Sequence, residues 1–175
     1  MTPPSVFGNL RREHRMVLAR LARLERSVAG TTSRGRARAE KEMAQVVRLL
    51  ERQFATHMSA EARVLFPALL KVLPEAGASI APLEGEHAEL RSILASLRAT
   101  LRRPWEEGRD EQIAVLARDL VDLLRIHIRK EESVIFRVAE RVLPAREVAR
   151  LEAWRSRKAK RSTPRPESGR SKGER

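Results

Sequence analysis

The amino-acid sequence predicts an all-α protein: an up-down-up-down four-helix bundle with a short fifth helix and a disordered basic C-terminal tail. Apolar residues recur at intervals of three and four along four long segments, which is the periodicity of a helix with one buried face. Ala, Leu, Glu and Arg are abundant, whereas there are only four Phe, two Trp and no Tyr, and this composition favours helices. The 175 residues suffice for one domain with a core, and short breaks between segments make successive helices antiparallel neighbours.

The first segment predicts a helix that begins after Ser5, which can serve as the N-cap, and runs to about Val28. Gly30 and the polar stretch after it should end this helix. His14 occupies a position in the apolar seam where an aliphatic residue would otherwise stand, and it is therefore expected to face inward. The other seam residues are Leu10, Val17, Leu21, Leu24 and Val28.

The second segment predicts a helix from roughly Arg36 to Leu73. His57 and Glu61 both lie on its apolar stripe, one turn apart. Pro67 falls within the pattern and should kink or locally break the helix, because it lacks a backbone donor and crowds the preceding turn. The other stripe residues are Met43, Val47, Leu50, Phe54, Val64 and Ala68.

A third helix is expected from about Ser79 to Leu101, with His87 in its seam. A fourth helix follows and carries both His127 and Glu131 on its inner stripe. The seam of the third helix is otherwise formed by Ile80, Leu83, Leu90, Leu94, Leu97 and Leu101. The stripe of the fourth helix is completed by Ile113, Ala117, Leu120, Leu124, Val134 and Val138.

A short fifth helix is predicted between Pro144 and about Arg157. On its apolar face, Val148, Leu151 and Trp154 can cover one end of the bundle.

The net charge of +13 is concentrated near the C-terminus, because residues 153–175 contain nine Lys/Arg and two Glu. This segment has little to bury, so we assign residues 1–157 to the helical domain and residues 158–175 to a disordered basic tail. We expect an inert solubilising tail rather than one that contacts nucleic acid or an acidic partner nonspecifically. With no signal-peptide core and no apolar run of membrane-spanning length, the protein is expected to be cytoplasmic.

The two halves of the chain resemble each other, and each is expected to form a helical hairpin with one lone histidine and one His-x3-Glu pair. One pair of matching strings is Leu10-Arg-Arg-Glu-His14 and Leu83-Glu-Gly-Glu-His87. A second pair, related by 70 residues throughout, is His57-x3-Glu61-x4-Phe66-x7-Pro74 and His127-x3-Glu131-x4-Phe136-x7-Pro144.

All four histidines, and the glutamates four residues after two of them, fall on otherwise aliphatic stripes. An unpaired polar group in a core costs about 2 kcal/mol or more, so these residues need partners. A single His-x3-Glu pair is usually exposed, and a lone buried histidine usually bonds to a carbonyl. The combination on four facing helices instead favours a metal site, whose candidate ligands are His14, His57, Glu61, His87, His127 and Glu131.

The number of candidate ligands favours two metal ions. On a helix, a His nitrogen and a Glu oxygen four residues apart can reach one metal, while the second Glu oxygen reaches a neighbouring metal. Cysteine is absent, which excludes thiolate and iron–sulfur sites. Imidazole and carboxylate ligands suit iron, manganese and zinc alike.

The order His, His-x3-Glu, His, His-x3-Glu on four helices resembles the hemerythrin-like, or HHE cation-binding, domain. The resemblance covers about residues 5 to 155 and includes the strings Glu61-Ala-Arg-Val-Leu-Phe66-Pro67 and Glu131-Glu-Ser-Val-Ile-Phe136. It implies an oxo- or hydroxo-bridged di-iron centre, with His14 and His57 on one iron, His87 and His127 on the other, and Glu61 and Glu131 as bridges.

The chain differs from the oxygen-carrying hemerythrins, which use five histidines, including a pair four residues apart on the third helix. Four residues before and after His87 stand Leu83 and Arg91, neither of which is a usual ligand. Three nearby acidic residues are expected to be solvated or paired with arginine rather than metal-bound, namely Glu84, Glu86 and Glu89. We therefore expect oxygen or peroxide to oxidise the diferrous form rather than oxygen to bind reversibly.

Three functions remain open from the sequence. The favoured one is a non-haem di-iron protein that reacts with O2, peroxide or NO in a sensing, scavenging or iron-handling role. The second is a di-iron enzyme that decomposes peroxide. The third is a metal-free helical interaction module whose histidines are structural.

Overall fold

The computed structural model describes residues 5–30 and 34–162, and of residues 159–162 it describes the backbone alone. These ranges contain helices and no strand, which confirms the all-α prediction. None of the described helices is long and apolar enough to cross a membrane. The α-helices within these ranges are α1 (Val6–Ala29), α2 (Arg36–Ala60), α3 (Phe66–Val72), α4 (Gly77–Arg102), α5 (Arg109–Lys130), α6 (Phe136–Val142) and α7 (Ala145–Ser162).

The ends of the first helix follow from local chemistry. Ser5 is the N-cap of α1, and its Oγ accepts a hydrogen bond of 3.1 Å from the backbone N–H of Gly8. Gly30 is the C-cap, and its N–H donates to the carbonyl of Arg26. Both predicted boundaries of this helix are confirmed to within a residue.

Two short π-helical segments interrupt the regular helices at equivalent places. The first, Glu61–Leu65, joins α2 to α3, and the second, Glu131–Ile135, joins α5 to α6. In each segment the N–H of the following phenylalanine, Phe66 or Phe136, donates to the carbonyl of the glutamate five residues earlier. The segments are 70 residues apart, so the internal repeat extends to a detail of backbone geometry.

Pro67 follows directly after the first π segment, where the sequence predicts a local break. The second π segment has Arg137 at the equivalent position, so proline is not required for this backbone. The shared feature is instead the glutamate with which each segment begins.

One prediction about the fourth helix is wrong. Val134 was expected on the buried stripe, but its side chain is 42% exposed, whereas Ile135 and Phe136 are buried. A π segment places one additional residue in the turn, which turns Val134 away from the core. Its equivalent Val64 in the first π segment is buried all the same, because α7 packs against that segment.

The long helices pack as neighbours around a common core. α1 contacts α2 and α5, and α4 contacts the same two helices from the other side. The buried apolar residues form two clusters. The first includes Val17, Leu50, Leu94 and Leu124, and the second includes Leu10, Leu69, Leu83, Phe136 and Leu151.

The fifth helix of the prediction corresponds to α7, which covers the second cluster. Leu151 is buried there, and Val148 and Trp154 are partly buried against it. α7 runs to Ser162, beyond the predicted end at Arg157, so residues 158–162 of the expected tail are helical. The remainder of the expected tail, residues 163–175, lies outside the described residues.

Candidate metal centre

The structure brings all six predicted site residues together between the two apolar clusters. α1 and α4 each present one histidine, His14 and His87. α2 and α5 present the other two near their C-terminal ends, and the π segments begin with the two glutamates. Glu61 and Glu131 are completely buried, and each histidine is at most 4% exposed.

Each glutamate lies next to the histidine one turn earlier on its own helix. Glu61 Oε1 is 3.0 Å from His57 Nε2, and Glu131 Oε1 is 2.9 Å from His127 Nε2. The other oxygen of each carboxylate faces the lone histidine of the opposite half of the chain. Glu61 Oε2 is 3.4 Å from His87 Nε2, and Glu131 Oε2 is 3.0 Å from His14 Nε2. Each carboxylate thus spans the two halves.

The imidazoles form two close pairs. His14 Nε2 lies 3.0 Å from His57 Nε2, and His87 Nε2 lies 3.1 Å from His127 Nε2. Two nitrogens bound at right angles to one metal, at about 2.1 Å each, are about 3.0 Å apart. One potential ligand atom from each of Glu61, His87, His127 and Glu131, and likewise from each of His14, His57 and Glu131, lies within 4.8 Å of the others in its group. The spacing within both pairs fits two nitrogens that share one metal ion.

The carboxylate oxygens supply an independent indication of a missing partner. Both oxygens of Glu61 and both oxygens of Glu131 are buried, and none accepts a hydrogen bond from the described part of the protein. Leaving such charged acceptors unsatisfied in a core is expensive. Imidazole nitrogens and carboxylate oxygens around a buried point are a donor set that suits iron, manganese or zinc, so the residues present fit a metal centre.

Three further carboxylates orient the imidazoles from outside the cluster. His14 Nδ1 donates to Glu132 at 2.9 Å, His57 Nδ1 donates to Glu13 at 3.2 Å, and His127 Nδ1 donates to Glu86 at 2.9 Å. Because a carboxylate only accepts, these contacts place a proton on Nδ1 and leave Nε2 turned toward the centre.

The sequence-based prediction missed two of these three residues and considered the third only as a neighbouring acid. Glu86 is a partner of His127 in the structure and is absent from the groups of converging ligand atoms. Glu13 and Glu86 each precede a seam histidine, so the repeated Glu-His dipeptide was a signal that could have identified them. Glu132 has no such counterpart, since Ala62 stands at the equivalent position.

The two repeat-related phenylalanines also position imidazoles. The ring of Phe136 stacks on His14, with a centroid distance of 5.4 Å and an interplanar angle of 11°. Phe66 stacks on His87 with a centroid distance of 6.1 Å and an angle of 12°. The spacing Glu-x4-Phe, noted as part of the repeat, therefore has a direct role in holding the lone histidines.

The charges of the cluster are strongly interdependent. Burial by itself would raise the pKa of Glu131, but contacts with the surrounding histidines, His127 foremost, hold it well below its ordinary value. Burial would lower the pKa of His87, but Glu131 and Glu61 raise it to about 9. For His57, burial likewise lowers the pKa, but the negative charge of Glu61, together with contacts to Glu13 and Glu131, raises it well above its ordinary value. Without metal, Glu131 is therefore a carboxylate, and it helps to raise the pKa of the neighbouring imidazoles.

A helical bundle with inward-facing histidines and glutamates on facing helices defines a known class of metal-binding protein. The family model of the hemerythrin HHE cation-binding domain matches residues 5–139, well over half of the chain. The chain belongs to this family. Among proteins of curated function, none matches the chain.

Proposed function

We propose that the chain binds two iron ions through the six clustered side chains. In this arrangement one iron is held by His14 and His57, the other by His87 and His127, and the carboxylates of Glu61 and Glu131 bridge the two. The observation that carries the proposal is that each buried carboxylate lies between histidines of both halves of the chain while accepting no hydrogen bond from the described residues. Iron is preferred over zinc or manganese on the strength of the family.

The proposed architecture is an up-down-up-down bundle. The two apolar clusters support alternating helix directions. Apart from Met58 and Ile128, the first cluster consists of residues that follow His14 on α1 and His87 on α4 and residues that precede His57 on α2 and His127 on α5. The second cluster contains residues that precede His14 and His87 and residues that follow His57 and His127. Such alternation places the four histidines at one level.

The function we propose is reaction with O2, peroxide or NO in a sensing, scavenging or iron-handling role. A bridged di-iron centre supplies redox chemistry and, with two histidines and two shared carboxylates per metal, leaves positions open to a small molecule. Neither Leu83 nor Arg91 can supply the fifth histidine of an oxygen carrier. This difference supports irreversible oxidation over oxygen transport.

The chain's own residues have defined tasks in this proposal. Glu13, Glu86 and Glu132 hold protons on the Nδ1 atoms, so that Nε2 remains available to metal. Phe66 and Phe136 shield the lone histidines from one side. A cytoplasmic location and, at most, nonspecific contact of the basic C-terminal segment with acidic partners complete the proposal.

Metal analysis of protein produced with adequate iron tests the proposal. Wild-type protein should contain about two irons per chain, as the two symmetric halves require. The double variant Glu61→Ala/Glu131→Ala should lose both, because each carboxylate is a proposed bridge. The matched control is Glu89→Ala/Glu111→Ala, which removes two exposed helical glutamates and should keep full occupancy. Full iron content in the first double variant would contradict the proposed bridges.

A further inference from the structure

A cavity of about 700 Å³ lies between α2 and α4 and reaches the candidate metal centre. We refer to it as the α2–α4 groove. It extends along α2 and into the first π segment, from Glu51 to Arg63, which corresponds to about 18 Å of helix. Its volume falls within the range of small-molecule sites, and one of its lining residues is His87.

The internal repeat explains why this groove is open. Three small residues of α2 and the first π segment line it, namely Ala55, Ser59 and Ala62. Seventy residues later, the equivalent positions on the opposite face of the protein are Arg125, Arg129 and Glu132. On that face Arg125 forms an ion pair of 2.8 Å with Glu25, Glu132 bonds to His14, and a smaller cavity of about 380 Å³ remains beside Arg129 and Glu132. The α2–α4 groove is the larger of the two because small side chains replace large charged ones.

Ala62, in the place of a glutamate, leaves His87 without a carboxylate partner. The other three imidazoles each donate from Nδ1 to a carboxylate, and for His14 that carboxylate is Glu132. His87 is the repeat equivalent of His14, and Ala62 stands where its carboxylate partner would be. Within the described side chains, His87 has no carboxylate on Nδ1, although the residue is only 3% exposed and lines the groove. Among the described side chains, three of the four imidazoles thus have a carboxylate acceptor at Nδ1, and His87 does not.

The charges around the groove favour an anion. Its rim contains four arginines and two glutamates: Arg52, Arg63, Arg91, Arg98, Glu51 and Glu84. Glu51 pairs with Arg98 at 3.2 Å at the end far from His87. Near His87, the guanidinium of Arg91 donates only to Met58 Sδ, at 3.5 Å, among the groups that the structure describes. On the rim near His87, Glu84 is the opposing charge, and it is exposed; the carboxylates of Glu61 and Glu131 are buried and face the Nε2 side of the imidazole.

We infer that the α2–α4 groove binds a medium-chain organic carboxylate. The ligand carboxylate accepts the hydrogen bond from His87 Nδ1, takes the place that Glu132 fills beside His14, and pairs with Arg91. Its hydrocarbon chain lies along the apolar floor formed by Phe54, Met58 and Leu94. The basic C-terminal segment of the chain itself is not the occupant, because its charge is of the same sign as the arginine rim.

This assignment rests on the proposed function only in that a metal on Nε2 keeps the proton on Nδ1 of His87. The carboxylate completes the hydrogen-bonding of that imidazole and would thereby tune one of the two metals more than the other. The groove is thus a site at which the redox behaviour of the centre can respond to a metabolite.

Calorimetric titration of the metal-loaded protein with octanoate tests the inference. One octanoate should bind per chain. Acetate should bind at least about tenfold more weakly because it buries no chain, and octanamide about tenfold more weakly because it lacks the charge. In the zinc-loaded protein, octanoate should shift the NMR signal of the His87 Nδ1 proton more than those of the other histidines.

Four variants distinguish octanoate binding in the α2–α4 groove from nonspecific binding elsewhere on the protein. Ala62→Glu introduces the missing carboxylate and should abolish octanoate binding with metal content unchanged. Arg91→Gln should weaken binding about tenfold, and it tests the site even when Ala62→Glu does not fold. Glu84→Gln should strengthen binding, because it removes the opposing charge. The matched control Arg129→Gln alters the equivalent face and should have no effect.

Equal octanoate binding by wild type and folded Ala62→Glu, or no binding to the metal-loaded wild type, would overturn the inference. Metal analysis of the same samples judges the proposed function separately. If the chain takes up no metal, the proposed function fails, and octanoate titration of the metal-free wild type and Arg91→Gln then decides the carboxylate site alone.

Discussion

The centre depends on single side chains with several contacts each. Glu131 lies within 3.0 Å of histidines from two different helices, and it is completely buried. Glu86 combines two tasks, since it accepts from His127 Nδ1 and also pairs with Lys130. Residues such as Glu86 do not touch the metal in our proposal, but they determine the direction in which a ligand atom points.

Glu86→Ala should therefore lower metal affinity without loss of the fold. Removing a carboxylate that orients a metal-binding histidine typically costs about 10- to 100-fold in affinity. Competition with a chelator of known affinity measures this directly. Glu89→Ala on the same helix removes an exposed glutamate and should behave as wild type, so equal affinities for the two variants would contradict the role assigned to Glu86.

The raised pKa of His87 makes the effect of metal depend on pH. In the metal-free fold this pKa is about 9, against an ordinary value of 6.5, so its stabilising contribution is complete below pH 6.5 and is lost as the pH rises to 9. Metal must displace this proton from the imidazole. The melting-temperature difference between zinc-loaded and metal-free protein should therefore grow from pH 6.5 to 8.5. A constant difference across this range would show that His87 carries no proton that metal displaces.

At the scale of the elements, the two π segments are the feature that places the glutamates. Each begins with the glutamate itself and ends before the phenylalanine that stacks on a lone histidine. Because of the extra residue in the turn, the apolar positions after Glu131 are displaced by one residue relative to those before it. Val134 is the exposed apolar residue within the second segment.

Deletion of Val134 should convert the second π segment into an ordinary α-helix. Ile135 and Ala139 then move onto the stripe of α5, so the apolar face is preserved and helix content by circular dichroism should remain unchanged. The turn that carries Glu131 changes, and metal affinity should fall on the order of tenfold, as for other losses of ligand orientation. Val134→Ala keeps the π segment and should bind metal normally. Wild-type affinity in the deletion variant would show that the π segment does not position Glu131.

For the whole molecule, the centre is a polar layer between two apolar clusters. In the metal-free fold, the four buried oxygens of Glu61 and Glu131 accept no hydrogen bond from neutral imidazoles, so among the described residues only protonated histidines offset their burial. A metal that binds the native state and not the unfolded chain shifts the folding equilibrium toward the native state.

Removal of metal should accordingly lower the melting temperature. Free metal at about a thousand times the dissociation constant stabilises the fold by about 4 kcal/mol, which corresponds to about 10 °C for a domain of this size. Scanning calorimetry before and after verified demetallation measures the shift. The variant Glu61→Ala/Glu131→Ala supplies the control, because its melting should not respond to metal. An unchanged wild-type transition would favour a hydrogen-bonded structural cluster.

Much of this protein is determined by local sequence. Apolar periodicity and capping residues predicted the helices, and the caps of α1 show why, since Ser5 and Gly30 act on backbone groups within four residues. The same periodicity predicted that His14, His87 and the two His-x3-Glu pairs face inward, and all six side chains are buried. Their role as metal ligands remains a prediction.

The tertiary structure decided what depends on contacts between distant parts of the chain. The second π segment shifts Val134 to the surface, and no local pattern marks either π segment, because the same residues fit an α-helix equally well. Glu132 meets His14 across 118 residues of sequence, and Ala62 leaves His87 without that partner. Periodicity reports which face of a helix is buried, but it does not report which side chain of another helix lies opposite. The groove at His87 depends on which side chains lie opposite one another, so only the tertiary structure reveals it.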